Sequence, residues 1–202
     1  MKKDIENQPI VSVIIPTLNR SEETMLCVAS VLESSYKNLE IIVVDNNSED
    51  NTVSSLKNKF RREESFQIIE SKKNLGAGGG RNLGAKHASG ELLLFLDSDN
   101  IVEKSMVERL SLFISENKEC GMVGPLMLYQ KNPKMIWLSF ADIDMFTSQA
   151  KYKGTGKNIR SIKSADPIRV GHLPNCFMVR KDDFKAAGGF DEKYLVMFEE
   201  AD

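Results

Sequence analysis

Leu92-Leu93-Leu94-Phe95-Leu96-Asp97-Ser98-Asp99-Asn100 sets five consecutive apolar residues directly against two acids one residue apart. An apolar run of this length, closed by turn residues, reads as a strand buried on both faces; a membrane span needs about 20 such residues. The acids then fall where the strand leaves its sheet. Two earlier stretches repeat the arrangement. Glu40-Ile41-Ile42-Val43-Val44 runs into Asp45-Asn46-Asn47-Ser48, and Val11-Ser12-Val13-Ile14-Ile15 runs into Pro16-Thr17-Leu18-Asn19-Arg20. Pro16 cannot donate to a strand ladder and is expected to stop the first strand.

Amphipathic stretches separate these runs. Ser21-Glu22-Glu23-Thr24 offers a cap and an acidic first turn to a helix reaching about Ser34. A second helix is predicted over Thr52–Arg62, a short strand over Phe66–Glu70, and a helix over Glu103–Asn117. A further helix begins inside the glycine-rich stretch Asn74–Gly84. Strand and helix alternating in this rhythm predict an α/β fold, with a mostly parallel, Rossmann-like central sheet flanked by helices. Beyond residue 120 the rhythm breaks. Met122–Pro125 and Met135–Phe140 read as strands without intervening helices, residues 148–165 as a mobile loop, His172–Arg180 as a strand and Lys181–Ala187 as a short helix. The chain stops on Leu195-Val196-Met197-Phe198-Glu199-Glu200-Ala201-Asp202, an uncapped apolar run with acids behind it, and reads as truncated.

Composition narrows the classes. With 202 residues, 41% hydrophobic and 28% charged, the chain can bury a sizeable core without a disulfide or metal staple. The 27 Lys and Arg against 29 Asp and Glu leave a net charge of −2, so no global basic field exists to recruit nucleic acid. No membrane span or signal peptide is legible. Cys27, Cys120 and Cys176 are odd in number and lack metal-ligand spacing, which fits a reducing, cytoplasmic compartment. Any membrane association is left to sequence outside this chain.

In an open α/β sheet, ligands bind beyond the carboxyl ends of the strands. Asp45 could there close a turn or cap a helix instead. Asp97-Ser98-Asp99 is weak as a pattern, because Asp142-Ile143-Asp144 repeats it; its place between a strand and a helix distinguishes it. Paired carboxylates on a tight turn repel unless a cation or hydroxyl joins them, and such hard oxygen donors suit Mg²⁺ or Mn²⁺ shared with phosphate. The glycine stretch matches neither G-x-G-x-x-G nor the phosphate-loop pattern, since Arg81, Leu83 and Ala85 stand where those motifs need other residues. Its functional reading puts Arg81 on the first turn of a helix, facing a nucleotide. His87 reads as a surface or packing residue, and His172 as a candidate substrate contact.

Val13–Asn19, Val43–Ser48, Asn74–Gly84 and Phe95–Asp99, followed by Gly188-Gly189-Phe190-Asp191-Glu192 and Phe198–Asp202, occur in this order over nearly the whole chain. Together they resemble the inverting nucleotide-sugar glycosyltransferases called family 2, which have the GT-A fold. The resemblance implies a single catalytic domain over 1–202, with a nucleotide-sugar-binding half at 1–120 and a mixed acceptor-side half at 121–202. It implies that Pro16, Thr17, Asn19, Asp45, Arg81, Asp97 and Ser98 line the donor site, and that Asp99, beside Asp97, binds Mn²⁺ or Mg²⁺. Glu200, or else Glu199, stands where the family's Glu-Asp-x-Asp pattern carries the general base. Gly189, Phe190, Asp191, His172 and Asp202 fall on the acceptor side. The implied donor is a nucleoside-diphosphate sugar, UDP- or dTDP-linked ahead of GDP-linked, and the acceptor a glycan or lipid-linked hydroxyl. Residues 148–165 would close over both. A non-catalytic nucleotide-sugar-binding module is the main alternative. A sugar nucleotidyltransferase fits less well, because its glycine-rich loop would directly follow the first strand.

Overall fold

A computed structural model of the chain describes residues 8–138, 140–144, 149–162, 167–170, 173 and 175–193. Four strands lie parallel: β1 (Val11–Thr17), β2 (Leu39–Asp45), β3 (Phe66–Glu70) and β4 (Leu92–Leu96). They are linked by α1 (Ser21–Leu32), α2 (Thr52–Phe60) and α3 (Gly76–His87), and α4 (Met106–Glu116) follows β4. Near the end of the described residues, β10 (Cys176–Arg180) enters the same sheet antiparallel to β4, and α5 (Lys181–Ala186) follows it. With the two-residue β5 (Met122–Val123) the strand order is β3-β2-β1-β4-β10-β5. The chain winds outward from β1 through β2 to β3, then returns to place β4 on the other side of β1. That reversal opens a crevice at the carboxyl ends of β1 and β4.

The period-2 alternation of the strands explains why they read as continuous apolar runs. Val11, Val13, Ile15, Ile41, Val43, Leu94 and Leu96 face one side, where Cys27, Val28, Val31, Leu56, Val107 and Ile114 cover them from the helices. Ile14, Ile42, Val44, Leu93 and Phe95 face the other, against Ala85, Phe177 and Phe184. Helix α3 contains five glycines and is a poor helix by propensity. Its packing accounts for them: a Cβ on Gly84 would lie 2.4 Å from Ile14 Cγ2, and one on Gly80 would lie 3.0 Å from Pro16 Cβ. The glycines therefore let α3 settle directly on β1 and β2.

Several expectations are corrected. Pro16 lies within β1 rather than ending it, because the ladder to β4 stops at Ile14 while that to β2 continues to Thr17. The missing N–H thus removes no ladder bond. Ser21 is the first residue of α1, not its cap; Arg20 holds the cap position. Residues 148–165 are not a single loop. Gln149–Lys153 forms β9, paired antiparallel with β8 (Phe140–Asp144), and Ile159–Ser161 makes a 3₁₀ turn. This hairpin takes its order from backbone pairing with β8, which lysine and glycine content conceals. Asp142 consequently lies inside a strand and Asp144 is its last residue, in a two-stranded ribbon outside the central sheet. A second ribbon joins β6 (Met127–Tyr129) to β7 (Asn132–Leu138). The strand expected over His172–Arg180 is confined to Cys176–Arg180. His172, Glu199, Glu200 and Asp202 lie outside the described residues.

Candidate functional site

The turns after β1, β2 and β4 meet at the crevice, and their side chains are bound to one another across long sequence separations. Asn19, with a left-handed φ of 52°, accepts the Glu49 N–H at 2.8 Å, and its own N–H donates to Ser48 Oγ at 2.8 Å. It clamps the β1 turn to the β2 turn. The buried Thr17 hydroxyl shares a 2.7 Å hydrogen bond with Thr24 of α1, and Pro16 lies buried beside Gly80. In these contacts Pro16, Thr17 and Asn19 form the frame of the crevice.

Asp45 ends β2 and is only 3% exposed. Its Oδ2 accepts the Ser48 N–H at 3.0 Å, closing the turn that one reading of the sequence expected. Its Oδ1 is buried and accepts no hydrogen bond from the protein. A buried carboxylate oxygen left unpaired costs about 1–3 kcal/mol or more, so this atom is a ready acceptor for a ligand N–H. The neighbouring Asn46 donates to the Gly76 carbonyl at 3.0 Å, which ties the β2 turn to the start of α3.

Arg81 differs from expectation in position. It lies in the second turn of α3, is 1% exposed, and donates from Nη2 to Asp97 Oδ1 at 2.8 Å. Its guanidinium also sits 5.4 Å from the centre of the Phe190 ring, a cation–π arrangement. Asp97 Oδ2 accepts from Asn175 Nδ2 at 2.9 Å. Ser98 is buried between the two acids. Asp99 points outward, where its Oδ2 pairs with Arg20 Nη1 at 2.8 Å. Among the described residues no three His, Cys, Asp or Glu side chains gather closely enough to hold a metal. A divalent cation at the exposed Asp99 carboxylate would need its remaining ligands from elsewhere, such as a bound phosphate and water.

Gly189, Phe190 and Asp191 dock on the same helix. Asn82 accepts the Phe190 N–H at 3.0 Å and donates to its carbonyl at 2.9 Å, and the Phe190 ring packs against Phe95, Phe177 and Phe184. Asp191 caps its own turn by accepting the Lys193 N–H at 2.9 Å. A cavity of about 430 Å³ lies between α3, α5 and this turn, and none of Thr17, Asp45, Asp97 or Asp99 lines it.

Sequence reasoning missed Arg20, Asn82 and Asn175. A signal for Asn175 was present: Asn19, Asn47 and Asn175 all adopt positive φ, and asparagine beside a strand end is the residue that tolerates this region best after glycine.

The sequence profile described as Glycosyl transferase family 2 matches residues 12–187. An uncharacterised glycosyltransferase of Haemophilus influenzae is 31% identical over 135 residues, which is 59% of this chain and 42% of that protein. A mannosyltransferase, PcManGT from Pyrobaculum calidifontis, solved in complex with GDP-Man and Mn²⁺, has a TM-score of 0.67 at 17% identity, over 94% of this chain and 49% of that one. TarS of S. aureus in complex with UDP has a TM-score of 0.66 at 22% identity, over 94% of this chain and 52% of that one. The chain belongs to glycosyltransferase family 2 and has its GT-A fold. It spans less than half the length of the Haemophilus relative and about half that of the two solved structures.

Proposed function

We propose that this chain carries the donor site of an inverting glycosyltransferase that moves a sugar from a nucleoside diphosphate to an acceptor hydroxyl. The observation that carries the reading is Asp45: a buried carboxylate oxygen without a partner, at the end of a central strand, beside the crevice. A nucleobase N–H satisfies that oxygen, and pyrimidine and guanine bases both present one. UDP bound to TarS and GDP-Man bound to PcManGT leave the choice of base open.

Asp99 would hold Mn²⁺ or Mg²⁺ together with the donor diphosphate, and the exposed carboxylate at the strand end fits such a shared site. When bound, the cation offsets charge building on the leaving diphosphate. Arg81 and Asp97, paired with each other at 2.8 Å, would line the donor site beside Asp99. The acceptor, a glycan or lipid-linked hydroxyl, attacks the anomeric carbon from the face opposite the diphosphate. A new C–O bond forms, the bond to the phosphate oxygen breaks, and Glu200 or Glu199 takes the hydroxyl proton. Such a positioned base contributes typically about 10²–10⁴-fold.

Incubation with UDP-, dTDP- and GDP-sugars tests this, with wild type compared against Glu199→Gln and Glu200→Gln. The expected result is release of nucleoside diphosphate, suppressed about 10²-fold or more by one of the two substitutions, with the product anomer inverted. Release of pyrophosphate, or a retained anomer, would overturn it.

A further inference from the structure

The two acids of Asp97-Ser98-Asp99 are held in opposite ways. Asp97 has both oxygens committed, one to Arg81 and one to Asn175, and its Arg81 partner is 1% exposed. Among the described residues Asp99 meets one cation, Arg20, and the side chains of Arg20 and Asp99 are 51% and 52% exposed. The backbone around Arg20 is fixed: its carbonyl accepts the Thr24 N–H at 3.0 Å, and the adjacent Asn19 is clamped to the β2 turn. Only the side chain is free to swing, and an exposed pair of this kind is readily exchanged. Arg20 therefore occupies one of the two oxygens of the carboxylate that a divalent cation would share, and competes with it for the same negative charge.

We propose that Arg20 is an exchangeable counter-ion for Asp99. Without donor it neutralises the carboxylate. When donor and cation bind, it releases Asp99 and turns its guanidinium onto the diphosphate oxygens. The planar fork of an arginine suits phosphate as well as carboxylate, and the incoming diphosphate brings the negative charge that Arg20 loses. This rests on the reading of Asp99 as the cation ligand given above.

The experiment has two arms on the full chain. In the first, Mn²⁺ alone is titrated into wild type, Arg20→Gln and Asp99→Ala, and free Mn²⁺ is followed by electron paramagnetic resonance. In the second, UDP, GDP, uridine and guanosine are titrated calorimetrically at fixed Mn²⁺. Removing the competing guanidinium should tighten Mn²⁺ binding by about two- to fivefold. It should weaken the matching nucleoside diphosphate by about tenfold, with the phosphate-free nucleoside unaffected. A merely structural role would weaken both arms, or the nucleoside as well. Asp99-dependent Mn²⁺ binding that Arg20→Gln leaves equal or weaker would overturn the exchange and leave the metal reading standing. Mn²⁺ binding indifferent to Asp99→Ala, or absent throughout, would overturn both.

Discussion

Arg81 and Asp97 meet at 2.8 Å, with the arginine 1% exposed and the aspartate 28% exposed. The first acid of the strand-end turn is therefore spent on holding a buried cation from a neighbouring helix. Removing Asp97 takes away the carboxylate that this buried guanidinium meets at 2.8 Å. Asp97→Ala should destabilise the fold by about 3 kcal/mol, at the low end for a buried pair because water reaches one partner. Arg81→Met combined with Asp97→Ala should cost about 1–3 kcal/mol less than the two single changes added together. Urea unfolding of the four proteins measures this, and strict additivity would contradict the pairing.

The seating of α3 yields a second expectation. Gly84→Ala gains about 1 kcal/mol in helix propensity, yet its methyl would sit 2.4 Å from Ile14 Cγ2 in a filled core. Overpacking of that kind costs about 1–3 kcal/mol, and the gap here is far below any normal contact. A net loss of about 1–2 kcal/mol is expected, again by denaturant unfolding. Gly121→Ala is the control, since a Cβ there meets nothing within 4 Å.

Glu40 links stability to pH. Burial pushes its carboxyl up, but hydrogen bonds to Oε1 from Ser12 Oγ at 2.6 Å, the Ser89 N–H at 2.6 Å, Ser89 Oγ at 2.9 Å and the Gly90 N–H at 3.2 Å outweigh it. The result lies below the ordinary value of 4.5. A depressed carboxylate contributes stability above its unfolded pKa and loses it as pH falls through the folded one. Glu40→Gln should thus be less stable than wild type near neutrality, and the gap should close as the pH drops below about 4.5. Thermal melts across that range test the sign, and a gap that widens in acid would be the wrong outcome.

The thiols should divide by burial. Burial, with smaller contributions from Cys176, Asp99 and Asp97, raises the pKa of Cys27, and burial reinforced by Asp97 pushes Cys176 up to about 12. Thiolate is the reactive form, so neither should react in the folded chain. Cys120, only partly buried, should be the one site modified by a thiol reagent in the native state at about pH 8. All three should react once the chain is unfolded.

The parallel half of the fold was legible because each of its strands is covered on both faces. Unbroken apolar runs such as Ile41–Val44 and Leu92–Leu96 follow directly from that. Phe66–Glu70 and Leu92–Leu96 coincide with their predicted spans, while helix ends shifted by one to three residues, where local caps decide. The ribbons at 127–153 were harder: in β7 the buried alternation is confined to Ile136 and Leu138 at its end, too short to write a strand pattern. Pro16 misled because its effect depends on which neighbour the N–H would have met. At the site, Asp45, Asp97 and Asp99 were visible from their places after strands. The contacts Arg20–Asp99 and Asn175–Asp97 join residues 79 and 78 positions apart, and nothing local encodes them.

The proposed nucleotide site lies at the carboxyl ends of β1, β2 and β4 and is read by Asp45 and Asp99. Calorimetric titration of UDP, dTDP and GDP, each with and without Mn²⁺, tests it on wild type, Asp45→Ala and Asp99→Ala. One nucleotide should bind. Asp45→Ala should weaken it about tenfold or more with or without the cation, whereas Asp99→Ala should abolish only the gain that Mn²⁺ brings. Equal affinity in all three proteins, or no binding of any nucleotide, would contradict the account.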